Sequence, residues 1–170
     1  MDAGSHPQSQ VSARRLRNPS RDQLGLYGGE ESVKTLNIGF TGTQKGMTDF
    51  QCLTVGNFLR IYEREPTELW FLQGDCIGAD HEASFMAYGM GYKIWTFPPI
   101  HSSKRAWMKS DRMETPREYL TRNHNIVKAC DMLVAAPAED TEVLRSGTWA
   151  TIRYAKKLDV HTFIVYPDHT

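Results

Sequence analysis

The sequence predicts an α/β domain built on a doubly wound, five-stranded parallel sheet with helices on both faces. Three observations lead there. Short apolar runs alternate with stretches of helical periodicity, the pattern that right-handed crossovers turn into a parallel sheet. The runs, such as Met132-Leu133-Val134-Ala135-Ala136, are apolar throughout, as strands covered on both faces are. The stretches rich in Gly, Thr, Ser or charge each follow a strand. That would gather them on one rim of the sheet, where ligands bind in such folds.

Residues 1–33 carry Ser, Pro, Gln, Gly and Arg with almost no apolar periodicity. They are expected to form a disordered or weakly docked arm. Arg14, Arg15, Arg17 and Arg21 would also suit a cleaved organelle-targeting segment, but no convincing amphipathic helix supports one. The domain is expected over 34–170. Its first strand, 36–40 (LNIGF), runs into Thr41-Gly42-Thr43-Gln44-Lys45-Gly46. Helical spacing follows over 47–64, with Phe50, Leu53, Phe58, Ile61 and Tyr62 as its apolar positions, until Pro66. The second strand, 69–72, empties into Gly74-Asp75-Cys76-Ile77-Gly78-Ala79-Asp80. A helix over 79–88 then presents Ala83, Phe85, Met86 and Ala87, closed by Gly89 and Gly91.

The third strand, 93–97, is stopped by Pro98-Pro99, and a long basic and aromatic loop covers 100–115. Loops of that length are commonly functional. Thr115 and Pro116 read as the start of the next helix, whose buried side is Tyr119, Leu120, Ile126, Val127 and Ala129. The fourth strand is 132–136. After the polar loop 138–145, Ser146-Gly147-Thr148 opens a helix with Trp149, Ile152, Ala155 and Leu158 at three-residue steps, and 160–166 is the last strand.

Composition narrows the function. Lys+Arg and Asp+Glu balance at 20 each, which argues against bulk electrostatic binding of nucleic acid. No apolar run approaches the roughly 18–20 residues of a membrane span. Three scattered cysteines suit free thiols in a reducing compartment, so a cytoplasmic protein is expected. Neither they nor His124 has metal-ligand spacing, and no metal or required cofactor is expected.

The rim residues suit an anion. A small-residue turn at a helix start leaves unpaired N–H groups at the positive dipole end, so Ser146, Gly147 and Thr148 suit a phosphate; Ser146 or Thr148 could equally be a plain cap. Gly42, Gly74 and Gly78 permit close backbone approach, Thr41 and Thr43 add hydroxyls, and Lys45 adds a point charge. Asp75 or Asp80 could take ribose hydroxyls, or else stabilise its own loop and cap the following helix. Arg122 offers a planar fork to an anion, beside Asn123, although a solvated helical Arg is the ordinary outcome. Trp149 reads as core or pocket wall.

Together, Thr41-Gly42-Thr43, the Gly74–Asp80 loop, Arg122-Asn123 before Cys130-Asp131, and Ser146-Gly147-Thr148 resemble the SLOG superfamily of Rossmann-like domains. The resemblance covers roughly 36–167 and is to its YspA/YpsA-related branch, more distantly to the LOG phosphoribohydrolases and DprA. It implies a pocket for a nucleotide or nucleotide derivative, with phosphate at the glycine loops. Related proteins pair through helices, which implies a homodimer. It also implies a functional Arg at Arg122. The departure is at Thr151, which stands where LOG enzymes carry a Glu that helps cleave the N-glycosidic bond. A hydrolytic carboxylate would then have to come from Asp75, Asp80 or the Glu139-Asp140-Glu142 loop. Three functions stay open: a nucleotide-binding sensor or carrier, an N-glycosidic hydrolase with Asp75, Asp80 and Arg122 as its catalytic candidates, and DprA-like DNA binding. Whether the protein is an enzyme stays open with them.

Overall fold

Where the chain changes from strand to helix is set by local chemistry that apolar periodicity alone does not reveal. The computed structural model describes residues 32–64 and 67–168. The arm expected over 1–33 lies outside these, apart from its last two residues. In chain order the elements are β1 (Lys34–Gly42), α1 (Asp49–Tyr62), β2 (Thr67–Gln73), α2 (Ala79–Gly89), β3 (Lys93–Thr96), β4 (Arg112–Met113), α3 (Tyr119–Ala129), β5 (Met132–Ala136), α4 (Gly147–Lys157) and β6 (His161–Ile164). All strands are parallel, in the order β4-β3-β2-β1-β5-β6.

The α/β class and doubly wound parallel sheet are as the sequence predicts, with one strand more. β4 arises inside the loop expected over 100–115, where two residues pair with Trp95 and Thr96 of β3. Strand alternation divides the core. Ile38, Phe40, Phe71, Ile94 and Val134 face Val55 and Leu59 of α1 and Ala79, Ala83 and Ala87 of α2. Their neighbours Leu72, Leu133 and Ala135 face Ile126 and Val127 of α3 and Trp149, Ile152 and Ala155 of α4. Helices therefore cover both faces, burying side chains worth about 1.5–3 kcal/mol each.

Several helix faces differ from expectation. On α1, Phe50, Leu53 and Ile61 are exposed, and the buried stripe is Gln51, Val55 and Leu59. Thr48 and Gln51 form a reciprocal capping box that fixes the start of the helix. Gln51 then turns inward because its amide donates to the carbonyls of Pro137 and Val165, both at 2.8 Å. A satisfied polar group thus heads the buried stripe. On α2 the small residues Ala79, Ala83 and Ala87 pack on the sheet while Phe85 points to solvent. α3 begins at Tyr119 with Glu118 as its N-cap, not at Thr115–Pro116, and Leu120 is exposed. Leu158, the C-cap of α4, is exposed as well. No helix among the described residues is long and apolar enough to cross a membrane.

Candidate functional site

β1 and β5 lie side by side, yet β1 leads through α1 to β2 on one side and β5 through α4 to β6 on the other. The winding reverses between them, and the crevice beyond their carboxyl ends is the general ligand position of such sheets. A cavity of about 200 Å³ opens there. Thr41, Gly42, Thr43 and Gln44 line it from the end of β1, and Cys76 and Asp80 from the β2–α2 connection. Tyr119, Arg122 and Asn123 come from α3; Ala138, Glu139, Ser146, Gly147 and Thr148 come from the segment between β5 and α4.

Arg122 is the central group. Its side chain is only 3% exposed, so the ordinary solvated helical Arg does not apply. Nη1 donates to the Gly74 carbonyl and lies 3.9 Å from Asp80 Oδ2, while Nη2 is 3.4 Å from Cys76 Sγ. Nε is buried with no partner in the protein. The guanidinium carbon sits 4.9 Å from the centre of the Tyr119 ring. A buried cation with a spare donor is incomplete without an acceptor.

Asp80 faces this cation from the first turn of α2. Burial pushes its carboxyl up to about 6, against the pull of Arg122 and of the Cys76 and Gly74 backbone N–H groups. Tyr119 is raised to about 12, first by burial and then by its hydrogen bond with Cys76. The Tyr119 hydroxyl also accepts from Gln44 Nε2 at 2.8 Å.

At the start of α4, Ser146 does act as a cap, its Oγ accepting from the Trp149 N–H at 3.3 Å. The cap leaves space open at the helix start. Gly147 is exposed, and a Cβ built on it would meet nothing within 4 Å. The N–H groups of Gly147 and Thr148 have no acceptor within the helix.

Asp75, Gly74, Gly78 and Lys45 stand outside the cavity lining. Asp75 is buried with a φ of 54° and accepts from Arg105 Nε at 2.6 Å and from the Met108 N–H at 3.2 Å. Its carbonyl accepts from Ala106 N–H at 2.9 Å. Both ends of the residue thus hold the 100–115 loop. Gly74 is required because a Cβ there would overlap the Arg122 guanidinium. Gly78, at φ 88°, caps α2 against the backbone of Gln44. Lys45 is exposed on the turn after β1. Asn123 lines the cavity, but its amide donates to Thr151 Oγ1 at 2.8 Å, and Thr151 donates to the Gly147 carbonyl at 2.9 Å. Thr151 therefore ties α3 to α4.

Tyr119 and Gln44 enter the site without having been singled out for it. The Tyr119–Arg122 spacing of three residues, which puts both on one helical face, was the available signal. Cys76 lines the cavity too. Trp149 is core, beside Ile152 and Ala135, and His124 stacks on Tyr154 with ring centres 3.6 Å apart. Among the described residues no group of three His, Cys, Asp or Glu is placed to hold a metal ion.

No protein-family model matches the chain, and no curated protein matches it by sequence. Solved structures do. The DNA processing protein A (DprA) of Streptococcus pneumoniae is similar with a TM-score of 0.62 and 18% identity, over 79% of this chain and 52% of that one. The chain thus spans about half of that DprA. A molybdenum cofactor binding protein from Rippkaea orientalis is similar at a TM-score of 0.63 and 18% identity, covering 81% of this chain and 80% of that chain. The chain shares the Rossmann-like α/β fold of these structures. The molybdenum cofactor carrier protein of Chlamydomonas reinhardtii shares it at a TM-score of 0.55 and 18% identity, over 77% and 76% of the two chains.

Proposed function

We propose that this SLOG-type domain binds a phosphate-bearing nucleotide or nucleotide derivative as a sensor or carrier. Arg122 is the observation that carries the reading: a buried guanidinium with an unpartnered Nε, in the same cavity as the open start of α4. Guanidinium and helix-start N–H groups together form a donor set suited to an anion. The cavity, at about 200 Å³, is smaller than the roughly 300–1,000 Å³ of drug-sized sites, so the phosphate end enters and the base lies toward the rim. Two of the similar proteins are named for a small-molecule ligand, the molybdenum cofactor, which fits a carrier.

Gly147→Asp tests it. The open space at Gly147 accepts the side chain, and an acid in the first turn suits the helix dipole, so the fold should be unaffected. Binding of AMP or ADP by calorimetry should fall by about 100-fold, from lost charge-assisted donors and added repulsion. Parent-like affinity in the variant would put the site elsewhere. Mass spectrometry of whatever the denatured protein releases would identify the natural ligand.

A second reading, hydrolysis of a nucleotide N-glycosidic bond, draws support from Asp80 and Glu139. Both line the cavity although Thr151 does not supply a carboxylate. Such groups would stabilise a ribosyl oxocarbenium ion and position water. Release of free base by the parent, lost in Asp80→Asn, would favour it. DNA binding has exposed Trp107 with Lys104 and Lys109 in its favour and zero net charge against it. Pairing into a homodimer would cover the exposed Leu53, Ile61 and Phe85 of α1 and α2, and light scattering at twice the chain mass checks it.

A further inference from the structure

A large aromatic side chain left in water on a left-handed backbone is unfavourable twice over, and the 100–115 loop holds one. Trp107 is 65% exposed at a φ of 56°. The chain on either side of it is tied down. Arg105 Nε and the Met108 N–H donate to the Asp75 carboxylate, and the Ala106 N–H donates to the Asp75 carbonyl. The Lys104 carbonyl accepts from the Ile77 N–H at 3.0 Å. The indole therefore projects from a fixed loop, which removes the ordering cost a mobile loop would meet on association. Arg105 lies between two exposed apolar groups. Its guanidinium carbon is 3.8 Å from the centre of the Trp107 ring, and its Nη2 is 3.9 Å from the sulfur of exposed Met113. Trp, Met and Arg are the residues that protein contact surfaces concentrate. None of these groups lines the cavity beyond β1 and β5.

Charge identifies the occupant. Lys104 and Lys109 are exposed on either side of Trp107 in the chain, and among the described residues neither has an ion-pair partner. The loop's own acids are engaged elsewhere, Asp111 on the Ile94 N–H at 2.8 Å and Glu114 on Arg112 at 3.1 Å. We propose that the Trp107 face docks an acidic segment of a partner protein. An apolar side chain of that segment packs on the face of the indole that Arg105 leaves open, and its carboxylates meet Lys104 and Lys109. Single-stranded nucleic acid fits less well, because strand binders stack successive bases on several aromatic rings. Here the neighbouring rings already carry cations: Lys109 stands 5.3 Å over Tyr88 and Lys104 stands 5.9 Å over Tyr119.

The test selects a random peptide display library on the immobilised full chain. The most enriched peptide, a version with Lys in place of its acids, and an oligothymidine strand are then titrated into the ¹⁵N-labelled chain. The Trp107 indole N–H is the reporter. Enriched sequences should set Asp or Glu around a Leu, Phe or Trp, and the peptide should shift the indole resonance. Trp107→Ala should weaken it about 10-fold, the loss of one buried aromatic anchor. Lys104→Glu combined with Lys109→Glu should weaken it by about 10-fold as well, from two lost pairs and added repulsion. That double variant keeps the Asp75–Arg105 pair, so it decides the matter even where Trp107→Ala lowers the melting temperature. Three results would each overturn the proposal: no acidic sequence enriched, an indole resonance unmoved by the peptide, or parent-like affinity in the lysine variant. Tighter binding of the oligothymidine than of the peptide would overturn it in favour of nucleic acid.

Discussion

The connection after β2 and the connection after β5 look alike in sequence, each setting glycine among small and acidic residues ahead of a helix. Their roles differ. After β2, Gly74 makes room for Arg122, Gly78 caps α2, and Asp75 holds the 100–115 loop through Arg105 and two backbone contacts. After β5, a side chain at Gly147 would meet nothing within 4 Å, and Glu139 keeps an unpartnered oxygen. One connection is held by its own contacts within the protein, and the other leaves a polar atom unpartnered. Residue type marks a loop as special; only the contacts say whether the special feature serves the fold or the ligand.

The comparison breaks most visibly at Asp75. Asp75→Ala removes one partner of a buried ion pair and should cost about 3–5 kcal/mol of stability, read by denaturant unfolding. Ligand affinity of the surviving folded protein should stay within about twofold. A large affinity loss at intact stability would move Asp75 into the site.

The two glycines give the next test. Gly74→Ala forces Arg122 aside and should destabilise by about 3 kcal/mol, with loss of anion binding. Gly147→Ala should leave the melting temperature unchanged, or raise it slightly, because Ala is the better helix former. Similar losses from both substitutions would erase the distinction between the loops.

Asp80 sharpens the comparison from the side of charge. Its folded value of about 6 lies above its ordinary 3.8, so between these the folded state holds a proton that the unfolded state has lost. The stability it contributes is complete below about pH 3.8 and is lost as pH rises through 6, amounting to about 3 kcal/mol at most. Denaturant melts from pH 4 to 7 should show that decline, and Asp80→Asn should lack it.

The smallest expected effect is at Arg122 itself. Arg122→Lys keeps the charge but loses the planar fork, and should weaken nucleotide binding by about 10-fold in calorimetry. No change in affinity would mean that the guanidinium serves only Gly74, Cys76 and Asp80.

Much of this could be read without coordinates. The β5 run of 132–136 coincides with its predicted strand, a short apolar run suited to a strand covered on both faces. Ser146-Gly147-Thr148 was legible as a helix start, since cap chemistry is local. Asp75 was not, because its partner Arg105 is 30 residues away in a loop without periodicity. Gln51 misled the assignment of α1 for the same reason: an amide is welcome inside only where distant carbonyls await it. Glu139 was one acid among three in its loop, and nothing local distinguished it.

That Gln51 amide has a kinetic consequence. Its two hydrogen bonds reach 86 residues to Pro137 and 114 residues to Val165, so they close only after α1, the end of β5 and the last strand have all met. Contacts of such sequence separation carry the largest loop-closure cost and form late. Gln51→Ala should therefore leave the refolding rate nearly unchanged and accelerate unfolding, the signature of a bond absent from the transition state. Gln51 would then act as a latch on how long the native state lasts.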